Sequence, residues 1–70
     1  MIEVAKTTDP IRLSFLRSAL EGAGVPSQVF DAGAGSIWPG AIPMRLMVEE
    51  KDGWRAKHVL AQAERDLEGN

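Results

Sequence analysis

Residues 2–24, IEVAKTTDPIRLSFLRSALEGAG, contain a strand, a helix start and a helix in immediate succession. Residues 2–6 alternate apolar and polar side chains, which is the period of a half-buried strand. Asp9 suits the N-cap of a helix because its carboxylate accepts backbone N–H groups that have no partner within the helix. Pro10 suits the first helical position because it has no N–H to satisfy. The pattern predicts a helix over residues 10–23.

The predicted helix has one broad apolar face at helical spacing and a polar face opposite. Gly24 follows it as a natural stop, because glycine readily adopts the left-handed conformation that ends many helices. The apolar face is expected to comprise Ile11, Phe15, Leu16, Ala19, Leu20 and Ala23. The polar face is expected to comprise Ser14, Arg17, Ser18 and Glu21.

Two more strands and a second helix are predicted downstream. Residues 25–31 form the second strand, and Pro26 confines its start to a sheet edge or a strand beginning. Residues 44–49 form the third strand, with alternate side chains on opposite faces. A second helix begins near residues 50–52, where acidic side chains complement the helix dipole. Its apolar stripe is expected to comprise Ala56, Val59, Leu60, Ala63 and Leu67.

The order β-α-β-β-α predicts an α+β fold, a ferredoxin-like unit that lacks its last strand. A right-handed crossover places both helices on one face of a three-stranded sheet of order 1-3-2. We expect one domain over residues 1–68. The chain has no cysteine for a disulfide, and so short a chain buries a small core. Since the outer strands have unpaired edges, we expect a homodimer formed by pairing at a sheet edge.

Composition excludes several functional classes. The net charge is −2, and the eight basic residues are scattered among ten acidic ones. Without a basic stripe, binding to nucleic acid is not expected. The apolar runs are too short to span a membrane, and the N-terminal residues lack the apolar segment of a signal peptide. We therefore expect a cytoplasmic protein.

Residues 32–43, AGAGSIWPGAIP, separate the second and third strands and are too many for a tight hairpin turn. Long loops of this kind often carry function. The first two strands are predicted to be parallel, so this loop and the start of the first helix should meet at one rim of the sheet. The candidate residues for binding a ligand or partner at this rim are Thr8, Arg12, Gly35, Ser36, Ile37 and Trp38.

Two of these candidates have a structural alternative. Arg12 lies near the helix start, where a guanidinium suits an anion or a carboxylate. The alternative, which we favour from the sequence, is a structural Arg12 that pairs with Asp9 or Asp31 or reaches loop carbonyls. Trp38 has the large apolar surface typical of interface hot spots, but it would equally serve as a lid over the open end of the core. The loop glycines do not match a phosphate-binding fingerprint.

Trp54 also has two interpretations. It begins a line on the second helix, continued by His58, Ala61 and Arg65, that would suit a subunit contact. Alternatively it precedes the regular helix and packs against the sheet edge, which is the interpretation we favour from the sequence. His58 is the only histidine and has no partner at metal-ligand spacing, so no metal or other cofactor is expected. No serine has a visible base beside it, and we expect no enzyme.

The chain resembles a family of short bacterial proteins described as putative prokaryotic signal-transducing proteins, a domain of unknown function. The resemblance rests on Thr8-Asp9-Pro10 before the helix, on LEGAGVP over residues 20–26, and on RLMV followed by EEKD over residues 45–52. The family is in turn similar to the P-II nitrogen-regulatory proteins, whose signalling element is a long loop between strands 2 and 3. This chain has no tyrosine for the modification known in many P-II loops, and no glycine-and-lysine loop for ATP. Nucleotide sensing is therefore not implied.

The resemblance and the loop together lead us to expect a small non-enzymatic binding or regulatory module. It would contact a partner protein or a small molecule through the loop between strands 2 and 3. One alternative is a structural dimerisation domain without a ligand. Another is a small enzyme whose active site forms between subunits.

Overall fold

The computed structural model describes residues 1–31 and 43–68. The central strand is β3 (Met44–Val48). It pairs antiparallel with β1 (Ile2–Thr7) on one side and with β2 (Ser27–Asp31) on the other, so the sheet order is β1-β3-β2. Both helices pack leucines on the same face of this sheet, namely Leu13, Leu16, Leu20 and Leu60. The α+β class, the ferredoxin-like βαββα arrangement and the strand order predicted above are confirmed. The elements in chain order are β1 (Ile2–Thr7), α1 (Pro10–Gly22), β2 (Ser27–Asp31), β3 (Met44–Val48), a 3₁₀ turn (Glu50–Asp52) and α2 (Gly53–Glu68).

The start of α1 is organised by short polar side chains, as its sequence predicts. Asp9 has extended backbone angles, and its Oδ1 accepts a hydrogen bond from the backbone N–H of Ile11 at 2.9 Å. The backbone N–H of Asp9 in turn donates to Oγ1 of Thr7 at 3.1 Å. Pro10 occupies the first helical turn, where no N–H is needed. The chain thus leaves β1 and enters the helix within three residues.

The end of α1 is a Schellman motif. Gly24 has φ of 76° and its N–H donates to the carbonyl of Glu21 at 3.0 Å. The N–H of Val25 donates to the carbonyl of Leu20 at 2.9 Å, which is the longer bond of the motif. Val25 and Leu20 are both fully buried, so the hydrophobic contact of the motif is part of the core. Val25 therefore closes the helix, and β2 begins at Ser27, later than residue 25 where the sequence placed it.

The core lies between the sheet and the two helices. Val48 and Leu46 of β3 are fully buried at its base, and Ala56 and Leu60 of α2 close it from above. The remaining buried members of the cluster are Leu13, Leu16, Leu20 and Val25. β3 supplies the centre because it is the only one of the three strands with a neighbour on both sides.

The expected apolar face of α1 is partly wrong. Ile11 is 80% exposed and Phe15 is 37% exposed, whereas Leu13 is buried although the expectation omitted it. Leu13, Leu16 and Leu20 have spacings of three and four residues, which fit a helical stripe as well as the predicted set does. Packing against the sheet selects the leucine stripe. The face through Ile11 and Phe15 is turned towards solvent.

The expected stripe of α2 is correct at its centre and wrong at its end. Ala56 and Leu60 are buried and Val59 packs against the core, but Leu67 is 62% exposed. The helix has 16 residues and the strands beneath it have five or six. At about 1.5 Å per helical residue and about 3.3 Å per strand residue, the helix is several ångströms longer than the sheet. The last turn, with Leu67, extends past the sheet.

Candidate functional site

The rim predicted from the topology is present in the strand register. Thr7 of β1 and Asp31 of β2 are both direct partners of Met44, the first residue of β3. The end of β1, the end of β2 and the start of β3 therefore form one row across the sheet. α1 starts at this row immediately after Thr7, and residues 32–43 leave and return at it. Twelve residues connect two positions, Asp31 and Met44, that face each other directly.

Thr8 lies at this rim and is exposed. The helix start beside it already has its own acceptor, because the Asp9 carboxylate takes the Ile11 N–H. Leu13 donates to the Asp9 carbonyl at 3.0 Å. With a carboxylate at the cap and no N–H on Pro10, the helix start offers less to an anion than an uncapped helix would. Thr8 stays a candidate for contact with a partner.

Arg12 pairs with Glu64 of α2. The Asp9 carboxylate, one of the partners that the sequence suggested, instead caps α1. The two side chains are 41% and 43% exposed, so the pair is partly solvated and links the start of α1 to the last third of α2. A ligand carboxylate at Arg12 would have to compete with Glu64. The predicted anion contact of Arg12 stays a prediction.

Four members of the predicted site, Gly35, Ser36, Ile37 and Trp38, lie outside the described residues. Of the two described candidates, Thr8 lies at the rim and Arg12 pairs with Glu64 of α2. The contribution of the four loop residues stays a prediction.

The helices enclose a groove on the outer side of their layer. Arg55 donates to the carbonyl of Ala23 at the end of α1, which holds the first turn of α2 against α1. The groove has a volume of about 290 Å³. It is lined by Ala19, His58, Val59, Gln62, Ala63 and Asp66. Gln62 Nε2 donates to Asp66 Oδ1 at 3.3 Å, so the polar margin of the groove is hydrogen bonded along α2.

The favoured interpretation of Trp54 is wrong. Trp54 belongs to the first turn of α2, which begins at Gly53, and it is 83% exposed instead of packing against a sheet edge. The reason is helical phase: Gly53 and Ala56 are buried on either side of it in sequence, and Trp54 therefore projects away from the core. His58, Ala61 and Arg65 are exposed as well. The alternative, an exposed line of side chains, is the arrangement that the structure has.

A second surface was missed by sequence reasoning. Because directly paired strand residues project to the same face, the side of the sheet away from the helices can be read from the register. We call this side the open face, since no helix or strand that the structure describes packs on it. The guanidinium of Arg45 lies 5.9 Å from the centre of the Phe30 ring, a cation–π contact between neighbouring strands. The open face comprises Glu3, Lys6, Gln28, Phe30, Arg45 and Met47.

Comparison with known protein families gives a match over most of the chain. A family model described as putative prokaryotic signal transducing protein matches residues 1–64. The chain belongs to this family. The match includes every element from β1 through most of α2, together with the segment between β2 and β3. The searches of curated proteins and of solved structures gave no match to this member of the family.

Two chemical features are absent from the part of the chain that the structure describes. Neither helix there is long and apolar enough to cross a membrane. Residues 1–31 and 43–68 contain no group of three or more His, Asp or Glu side chains placed to hold a metal ion.

Proposed function

We propose that this putative signal-transducing protein is a small non-enzymatic binding module, and that the segment between β2 and β3 contacts a partner protein or a small ligand. The observation that carries the proposal is the direct pairing of Asp31 with Met44. Two residues can close strands that face each other in this way. The chain uses twelve. A connection so much longer than the sheet needs is typical of a functional loop.

The position of the segment also supports this proposal. It leaves the sheet at the rim that carries the exposed Thr8 and the start of α1. The rim is anchored by the Asp9 cap and by the Arg12–Glu64 pair, so the segment is attached to rigid elements. A loop on such a base can recognise a partner without loss of the fold.

The roles of the charged groups favour a module without catalysis. Asp9 caps α1, Glu64 pairs with Arg12, and Glu49 lies 3.6 Å from Lys51. These carboxylates cap a helix or form ion pairs within the chain. A general acid–base site instead needs titratable groups held in environments that separate their pKa values.

The test is to replace residues 32–43 by Asn-Gly, which closes directly paired strands in a tight turn. We expect the shortened chain to keep its far-ultraviolet circular dichroism and cooperative unfolding, because the described core already joins β3 to both helices. Proteins and small molecules captured by the full chain from native cell extract should be lost. Trp38→Ala should reproduce that loss, and Trp54→Ala is the matched control.

Capture that survives both the shortening and Trp38→Ala would refute the proposal. A shortened chain that fails to fold would also contradict it, because the segment would then be part of the structure. In that case the alternative of a structural domain without a ligand would stand.

A further inference from the structure

The open face separates its charges along the strands. Glu3, Met47 and Gln28 form one row across the sheet, and Lys6, Arg45 and Phe30 form the next. The first row contains the acid and the second contains both bases. The rows are two residue steps apart along β3, or about 7 Å. The face is therefore acidic towards the start of β1 and basic towards its end.

The apolar content of the open face lies between these charges. Phe30 is 40% exposed, and its ring contacts Arg45. Met47 occupies the central strand, and its neighbours across the strands are Glu3 and Gln28. Glu3, Lys6, Gln28 and Arg45 are exposed. Glu49 lies two residues after Met47, in extended conformation, at the acidic end of the face. Its Oε2 lies 3.6 Å from Nζ of Lys51, so the charge of Glu49 is offset within its own chain and Glu3 is the acidic group available to a second copy.

We infer that the open face binds the open face of a second copy of this chain, around a twofold axis that lies between the two sheets, parallel to them and perpendicular to the strands. Such an axis reverses the strand direction and sets the acidic row of one copy against the basic row of the other. Glu3 then faces Lys6 of the second copy, and Lys6 faces Glu3. An isologous interface makes each contact twice, so a single attractive pair counts double.

The charges also exclude the other face-to-face twofold arrangement. An axis parallel to the strands would set Arg45 against Arg45 of the second copy, and Lys6 against Phe30. Like charges placed opposite each other cost several kcal/mol at an interface. The crossing axis instead places Met47, which is only 8% exposed within one copy, against Arg45 of the second copy.

The size of the face predicts the strength of this dimer. Three strands of five or six residues present roughly a few hundred Å². A stable interface buries about 800 Å² per partner. We expect an association that depends on concentration in the micromolar range and weakens as salt screens the charge pairs.

Charge reversal tests the inference in the whole chain. Glu3→Lys and Lys6→Glu should each raise the dimer dissociation constant at least about tenfold, because each variant opposes like charges at the axis. An equimolar mixture of the two variants should associate again, as should the double exchange Glu3→Lys/Lys6→Glu. Lys57→Glu is the control, since it changes the net charge as Lys6→Glu does but lies exposed on α2. The measurement is sedimentation velocity over a wide concentration range at low and high salt.

Association that is restored in the mixture supports the inference, and unchanged circular dichroism of each variant shows that folding is intact. A chain that is monomeric at high micromolar concentration overturns it. A dimer that neither reversal weakens also overturns it, and would place self-association elsewhere, such as the sheet edge expected from the sequence. Replacing residues 32–43 leaves every residue of the open face in place. Failure of the loop proposal would therefore leave the dimer intact, and failure of the dimer would leave the loop proposal intact.

Discussion

Replacing Gly24 by alanine is expected to destabilise the protein, whereas the same change at Gly22 is expected to stabilise it. A Cβ at either glycine meets no atom within 4 Å, so packing contributes to neither effect and the backbone alone determines the sign. Gly24 has φ of 76°, the left-handed region that L-residues avoid. Gly22 is the last residue of α1 and does not have positive φ.

The magnitudes follow from these conformations. An L-residue in the left-handed region costs about 1–2 kcal/mol. At a helical position, alanine is more favourable than glycine by about 0.5–1 kcal/mol. The two variants should therefore differ by roughly 2 kcal/mol in the free energy of unfolding. For a domain of this size, that is a difference of about 8–16 °C in melting temperature.

Urea unfolding followed by far-ultraviolet circular dichroism measures both variants against the parent chain. The double variant should fall between them and near the sum of the single effects, unless the adjacent positions are coupled through the Schellman bonds. A Gly24→Ala chain as stable as the parent would refute the left-handed helix stop. A Gly22→Ala chain less stable than the parent would show that α1 ends before this position.

Leu20→Ala and Leu46→Ala should each destabilise the protein by about 2–5 kcal/mol, since both side chains are fully buried. Ile11→Ala, at a site 80% exposed, should change the free energy of unfolding by about 0.5 kcal/mol or less. A larger loss of unfolding free energy in denaturant titrations would show that Ile11 belongs to the core face. In a chain with Trp38 replaced by phenylalanine, acrylamide should quench Trp54 strongly, because that side chain is 83% exposed; a protected indole would contradict its place on α2. Trp38 itself is predicted to be accessible to quenchers in the free protein and to change its emission when a partner binds, and a protected Trp38 whose removal unfolds the chain would make it a lid.

The parts of the fold that the sequence predicted well are those set by neighbouring residues. Asp9 and Pro10 start α1, and Gly24 stops it, through bonds that span at most five positions. The alternation in the strands identified which residues of β3 share a face. The strand order followed because a right-handed crossover leaves few arrangements of this element order.

The candidate site was only partly predictable, because its contacts join residues distant in the chain. Arg12 was recognised as a charged residue at the helix start, but its partner Glu64 lies 52 positions away and no local spacing indicates it. Ile11 and Leu13 are both apolar and both fit a helical stripe. Their different burial depends on how α1 rotates against the sheet.

The open face was likewise predictable in part from the sequence and in part only from the folded structure. The sequence placed Glu3, Lys6 and Arg45 on strands. Only the pairing of β1 with β3, including the irregularity between Glu3 and Ala5, set Glu3 beside Met47 and Lys6 beside Arg45. Turns and caps depend on backbone angles and bonds between close neighbours, which a short stretch of residues specifies. Register, helix rotation and the separation of charge on a surface depend on packing between elements, which forms only when the whole chain is folded.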